Sequence, residues 1–201
     1  MLRHKPIEDL YNQDVNAKVE DSINELYNNP SSLYITSNNT ISNLVSSQQI
    51  SWDTYFSNIA LLASLRSKDL STKVGAIIVS SDNKILSTGY NGFIKGIDES
   101  QLPTSKTSPL PHETKYPYTV HAEANAICNI TLNASIKNAK IYTTLFPCNE
   151  CTKLLLQSGI SEIIYISDKY HDQSSYIASR KMLDLLHVPY RQYNGPILVS
   201  V

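Results

Sequence analysis

The sequence predicts an α/β domain whose later strands run mostly parallel. Three observations carry that prediction. From residue 121 onward, helical and strand-like segments alternate three times, helix then strand. Ahead of them, "KVGAIIVS" and "KILSTGY", joined by "SDN", read as a strand hairpin. The chain has 201 residues, 41% of them hydrophobic, which fits one domain with an extension and supplies enough apolar material for a core.

Residues 1–50 differ from the rest. Ile7, Leu10, Tyr11, Val15, Val19, Ile23, Leu26 and Tyr27 recur at three- and four-residue steps, predicting an amphipathic helix over about 7–27. The Asn- and Ser-rich run that follows reads as a linker, with a short strand at Leu33–Thr36. A domain spanning 51–201 follows this N-terminal extension. Its first helix opens at Ser51 as N-cap, with Asp53 in the first turn. Trp52, Phe56, Ile59, Ala60, Ala63 and Leu65 form its apolar stripe. After the hairpin comes a long Pro-, Gly- and Ser-rich stretch to Thr119 without clear period, the kind of loop that often carries function. Then follow a helix over about His121–Leu132, the strand "AKIYTTL", and a helix from Cys148 to the C-capping Gly159. The strand "SEIIYIS", a helix over about 174–187 and "VPYRQY" complete the chain. Ligands of such sheets gather where strands end and helices begin.

Charge narrows the partners. Seventeen basic against 18 acidic residues, with no Lys/Arg block, speak against polynucleotide or anionic membrane and leave a small charged metabolite. The opening "MLRHKPIEDLYNQDV" lacks the apolar run of a secretory signal, and no segment reaches membrane-spanning length. Three cysteines make no disulfide framework, so the expected compartment is reducing, the cytoplasm or the nucleus. The sequons at Asn38, Asn129 and Asn133 then read as coincidence.

Chemistry concentrates in two short stretches. In "FPCNEC", Cys148 and Cys151 could form a disulfide, a redox couple or half of a metal site, or pair by chance. At a helix N-terminus the i, i+3 spacing puts both sulfurs on one face, and the positive helix end favours their thiolates. A catalytic zinc needs three protein ligands and an open position. Among five histidines only His121 sits at a predicted helix start with an acid two residues on, in "HAE". Residues i and i+2 do not share a helix face, so Glu123 is better placed to approach the open side of a metal than to ligate it. Cys128, seven residues after His121 on the same face, is expected to be a buried packing thiol.

The order H-x-E, then P-C-x-x-C, resembles the signature of the zinc nucleobase deaminases. "RSKD", "VGAIIV", "GYNG", "TKYPYTVHAEANAI", "LFPCNEC" and "SDKYHD" together resemble the deoxycytidylate deaminase family over about residues 51–193. The chain departs from the family's frequent Trp-Arg-Arg stretch, carrying "LPTSKTSPLPHE" instead. The resemblance implies a three-layer α/β/α cytidine-deaminase-like fold around a mixed five-stranded sheet. It implies zinc held by His121, Cys148 and Cys151, with Glu123 as catalytic acid–base in hydrolysis of dCMP to dUMP and ammonia, feeding dTMP synthesis. Substrate contacts would come from Asn91 and Ala122, with Arg66, Tyr170 and Lys169 on the phosphate. It further implies a hexamer activated by dCTP and inhibited by dTTP with Mg2+, with Lys68, Asp69, Tyr90 and Gly92 in the effector region. Three other readings stay open: deamination of dCTP or of an RNA base, a zinc-stapled binding module without turnover, and a redox C-x-x-C protein.

Overall fold

The computed structural model describes residues 49–131 and 135–199. The helix expected over 7–27 and the strand at Leu33–Thr36 lie outside the described residues. The first described helix, α1 (Trp52–Ser64), starts where Ser51 accepts the Thr54 amide on its side chain at 3.1 Å. Its apolar stripe is only partly buried. Phe56 and Ala60 are fully enclosed, whereas Trp52 and Leu65 are half exposed, with Trp52 stacked on Phe56 at 5.3 Å. The core face of α1 is finished by polar side chains instead. Asn58 donates to the Thr54 and Pro196 carbonyls and accepts the Leu198 amide, which fastens the C-terminal segment to the helix.

Strands β1 (Gly75–Val79) and β2 (Ile85–Tyr90) form the expected antiparallel hairpin. Across the long loop, the two-residue strands β3 (Gly92–Phe93) and β4 (Thr119–Val120) pair with each other. Helix α2 (Ala122–Cys128) follows directly and stops sooner than expected, capped at Asn129. Then come β5 (Lys140–Leu145), α3 (Asn149–Gln157), β6 (Glu162–Ser167), α4 (Ser174–Leu185) and β7 (Tyr190–Gln192). The sheet order is β2-β1-β5-β6-β7. β1 runs antiparallel to both neighbours, and β5, β6 and β7 are parallel.

The twofold period of the strands divides the core into two layers. Ile77 and Val79 of β1 join Ile164 of β6 under Phe56 and Ala60 of α1. Ala76 and Ile78 face the other way, with Ile141 and Ile163, onto Ala126, Leu155 and Leu183 of the remaining helices. One helix thus covers one face and three cover the other, the three-layer arrangement the sequence led us to expect. No helix of the described residues is long and apolar enough to cross a membrane.

Candidate active site

Two helix N-termini converge at the ends of the sheet strands. His121 is the N-cap of α2 and Cys148 the N-cap of α3, both in extended backbone conformation. Neither uses its side chain to cap its own helix, so imidazole and thiol are free to face one another. His121 Nδ1 lies 3.4 Å from Cys148 Sγ and 3.4 Å from Cys151 Sγ, and the three ligand atoms all fall within 4.8 Å of one another. A tetrahedral zinc with bonds of about 2.3 Å to sulfur and about 2.0 Å to nitrogen sets S···N separations of about 3.5 Å, so this donor set fits zinc in chemistry and spacing.

The turn carrying the cysteines is held from behind. Ser179 of α4, fully buried, donates to the Pro147 carbonyl at 2.9 Å and bonds the Thr152 hydroxyl of α3. Phe146, also buried, donates its amide to the Ser167 carbonyl, and the Arg180 guanidinium covers its ring at 4.2 Å. Arg180 is itself fixed by an ion pair with Asp168 at the end of β6.

Electrostatics separates the two thiols. A hydrogen bond from Cys151 lowers the Cys148 thiol from 9.0 to about 4, burial opposing and His121 reinforcing the shift. The same bond, with burial and the nearby Glu123 charge, keeps Cys151 protonated. The hydrogen bond to Cys148 raises His121, burial working against it. Glu123, only 4% exposed, is raised above the ordinary carboxyl range by burial, which outweighs the attraction of His121. Stripped of metal by a chelator, the protein should therefore carry a Cys148 thiolate at pH 6, and this is lost only as pH falls toward about 4. Iodoacetamide at pH 6 is expected to label Cys148 well ahead of the exposed Cys128, read by peptide mass mapping. Equal labelling of the two would contradict the shift.

The cluster opens into a cavity of about 500 Å³. Glu123, Ala122, Asn91 and Tyr170 line it, and so does Asp69, which the resemblance assigned to the effector region. Asn91 is buried just past the end of β2, beside the residues that lead into β1, accepting the Val74 amide at 2.8 Å and donating to the Thr72 carbonyl at 3.0 Å. The other candidates lie elsewhere. Arg66 is exposed beyond α1 and is not among the lining residues. Lys169 sits over the Tyr170 ring at 4.8 Å. Lys68 pairs with Glu99 at the surface, Tyr90 takes the Asn125 side chain on its amide, and Gly92 is spent in the β3–β4 ladder. Cys128 is exposed rather than buried. It shares the face of His121, which is the open one; the core-facing positions are Ala122 and Ala126. His171 is exposed, 3.2 Å from the Asp168 carbonyl.

Sequence reasoning passed over several lining residues, Lys106, Tyr176 and Lys115 among them. Lys106, in the loop that departs from the family pattern, and Tyr176, in the first turn of α4, both face the cavity. Lys115 does too, although it is nearly buried. Burial raises the Asp69 carboxyl, but hydrogen bonds from Lys115, Ser71 and Thr72 overcome it and hold the group below its usual range.

The family model for the cytidine and deoxycytidylate deaminase zinc-binding region matches residues 50–167, a stretch containing His121, Glu123 and both cysteines of the cluster. A deoxycytidylate deaminase of Pongo abelii is 46% identical over 144 residues, spanning 72% of this chain and 80% of that protein. A probable deoxycytidylate deaminase of Drosophila melanogaster is 47% identical over 151 residues, or 73% of this chain and 74% of that one. Among solved structures, the apo dCMP deaminase of cyanophage S-TIM5 matches with a TM-score of 0.55 at 24% identity, covering 73% of this chain and 100% of that one. That likeness shows the fold.

Proposed function

The chain belongs to the cytidine and deoxycytidylate deaminase family, and on that premise we propose that it hydrolyses dCMP to dUMP and ammonia. The observation that carries this reading is the buried Glu123 carboxyl at the edge of the His121–Cys148–Cys151 cluster. Those three residues would hold zinc through Nδ1 and two Sγ atoms. When bound, zinc supplies the Lewis acidity that brings the pKa of a water molecule toward neutrality.

Glu123 then moves two protons. It accepts one from the attacking water and passes it to N3 of the cytosine as oxygen bonds to C4. It next takes the proton of the new C4 hydroxyl and delivers it to the 4-amino group. The C4–N bond breaks, ammonia leaves, the C4 carbonyl forms and the carboxylate is restored. A carboxyl raised by burial is suited to both halves of this exchange, because the gap to the working pH is narrowed.

The cavity divides its polar groups in a way that fits a nucleotide. Among the described residues Asn91 has one amide hydrogen and one lone pair uncommitted, a match for a sugar hydroxyl that both donates and accepts. Lys106 and Tyr170, on the loops facing it, offer a cation and a hydroxyl to the phosphate. The same reading extends to regulation by dCTP and dTTP, the latter with Mg2+, and to assembly into a hexamer. Ammonia release from dCMP, measured with and without each triphosphate, tests reaction, substrate and regulation together. Zinc-loaded protein that releases no ammonia from any cytosine nucleotide would overturn the proposal.

A further inference from the structure

Three stretches without regular structure form one wall of the cavity, and they meet at a single residue, Lys115, through its side chain and its backbone. Lys115 Nζ donates to Asp69 Oδ2 at 2.5 Å and lies 3.3 Å from Ser71 Oγ. Its backbone amide donates to Ser105 in the long loop at 2.9 Å. Its carbonyl accepts the Tyr118 amide and the Thr119 hydroxyl, in the turn that leads through β4 to His121. Both charged side chains are only 10% exposed.

From Asp69 the chain of bonds runs on to Asn91. Asp69 Oδ1 accepts the Ser71 amide at 2.7 Å and the Thr72 amide at 3.2 Å. The carbonyl of Thr72 accepts the Asn91 amide nitrogen. That bond tells the two ends of the Asn91 side chain apart: nitrogen to Thr72, oxygen to Val74. A carboxamide has nearly the same shape in either orientation, so only its partners fix which end points where. The Thr72 carbonyl is in turn placed by the Asp69 cap, and Asp69 by Lys115.

We propose that the Lys115–Asp69 pair is a positioning brace, which sets the orientation of Asn91 toward the sugar hydroxyl of the substrate and does not itself touch the reacting atoms. The inference rests on the proposed reading of the site as one for a deoxynucleotide. Surface ion pairs contribute little, but this pair is screened from water, and its carboxylate also accepts the Ser71 and Thr72 amides.

The test uses the double variant Asp69→Asn/Lys115→Met, because removing one partner alone would strand a buried charge. Its folding is checked by thermal melting, with Lys115→Arg, which keeps a cation at the same position, as a second variant. Each protein is assayed on dCMP and on 2′,3′-dideoxycytidine monophosphate, which lacks the 3′-hydroxyl. The double variant should raise KM for dCMP about tenfold with kcat within about threefold, and change KM for the dideoxy compound less than about twofold. Lys115→Arg should recover at least half of the loss in affinity. Equal losses on both substrates, or a fall confined to kcat, would overturn the brace while leaving dCMP as the substrate. Wild-type protein inactive on dCMP would overturn the functional reading and the brace with it.

Discussion

Glu123→Gln is expected to keep its zinc and to turn over dCMP roughly a thousand- to ten-thousandfold more slowly than the wild type. Glutamine fills the same volume and can still hydrogen-bond, so the buried pocket and the metal ligands should remain in place. It cannot accept a proton, and both transfers in the proposed reaction pass through this one carboxyl. General acid–base catalysis by a positioned side chain contributes about 10²–10⁴-fold, and a group used twice belongs at the upper end. The loss corresponds to about 4–5 kcal/mol of barrier. Zinc content by atomic absorption and ammonia release under single-turnover conditions read the two quantities separately. Near-normal turnover would remove Glu123 from the chemistry. Loss of zinc along with activity would make it a structural support of the metal instead.

Gly89→Ala should damage the fold as severely as Glu123→Gln damages the reaction. Gly89 lies in β2 beneath α2, and a Cβ there would stand 2.3 Å from the Ala122 carbonyl oxygen and 2.3 Å from the Ala126 amide nitrogen. Both are backbone atoms of a helix, with no flexible side chain to move aside. The neighbouring bonds allow little retreat, since Ser87 donates to the Ala126 carbonyl at 2.7 Å and Asn129 to the Thr88 carbonyl at 3.0 Å. Overpacking costs about 1–3 kcal/mol where side chains can adjust, and a backbone clash on two sides should reach about 3 kcal/mol or more. For a chain of this size that is a fall in Tm of roughly 10 °C. Gly92→Ala is the control, because nothing lies within 4 Å of its added Cβ. A Gly89→Ala protein that melts with the wild type would show that α2 can lift off the strand without penalty.

The metal cluster was legible because its information is local. The two cysteines share one helix turn, and "HAE" marks another helix start, so spacing alone gave each half its geometry. The sheet was legible for a related reason: strands such as "SEIIYIS" declare themselves by composition, and helix–strand alternation implies parallel neighbours. What escaped was set by tertiary contact. Lys115 and Asp69 are 46 residues apart, and nothing in either neighbourhood marks them as partners. Arg66 had the right charge and stood at the end of the right helix, yet it faces solvent. Cys128 was misread for a subtler reason. Helical periodicity reports which residues share a face but not which face is inward, and anchoring the pattern on His121 chose the wrong one.

The two halves of the site are fastened to the protein in different ways. The cysteine turn is bolted to the buried sheet and to α4 through Phe146, Pro147 and Ser179. The opposite wall is assembled from irregular loops gathered around Lys115. On the proposed reading, hydrolytic machinery and substrate choice are therefore separable parts of this molecule. Loop segments such as 94–113 could be exchanged or diversified to admit a different nucleotide, while the deaminating apparatus beneath them is carried along unchanged.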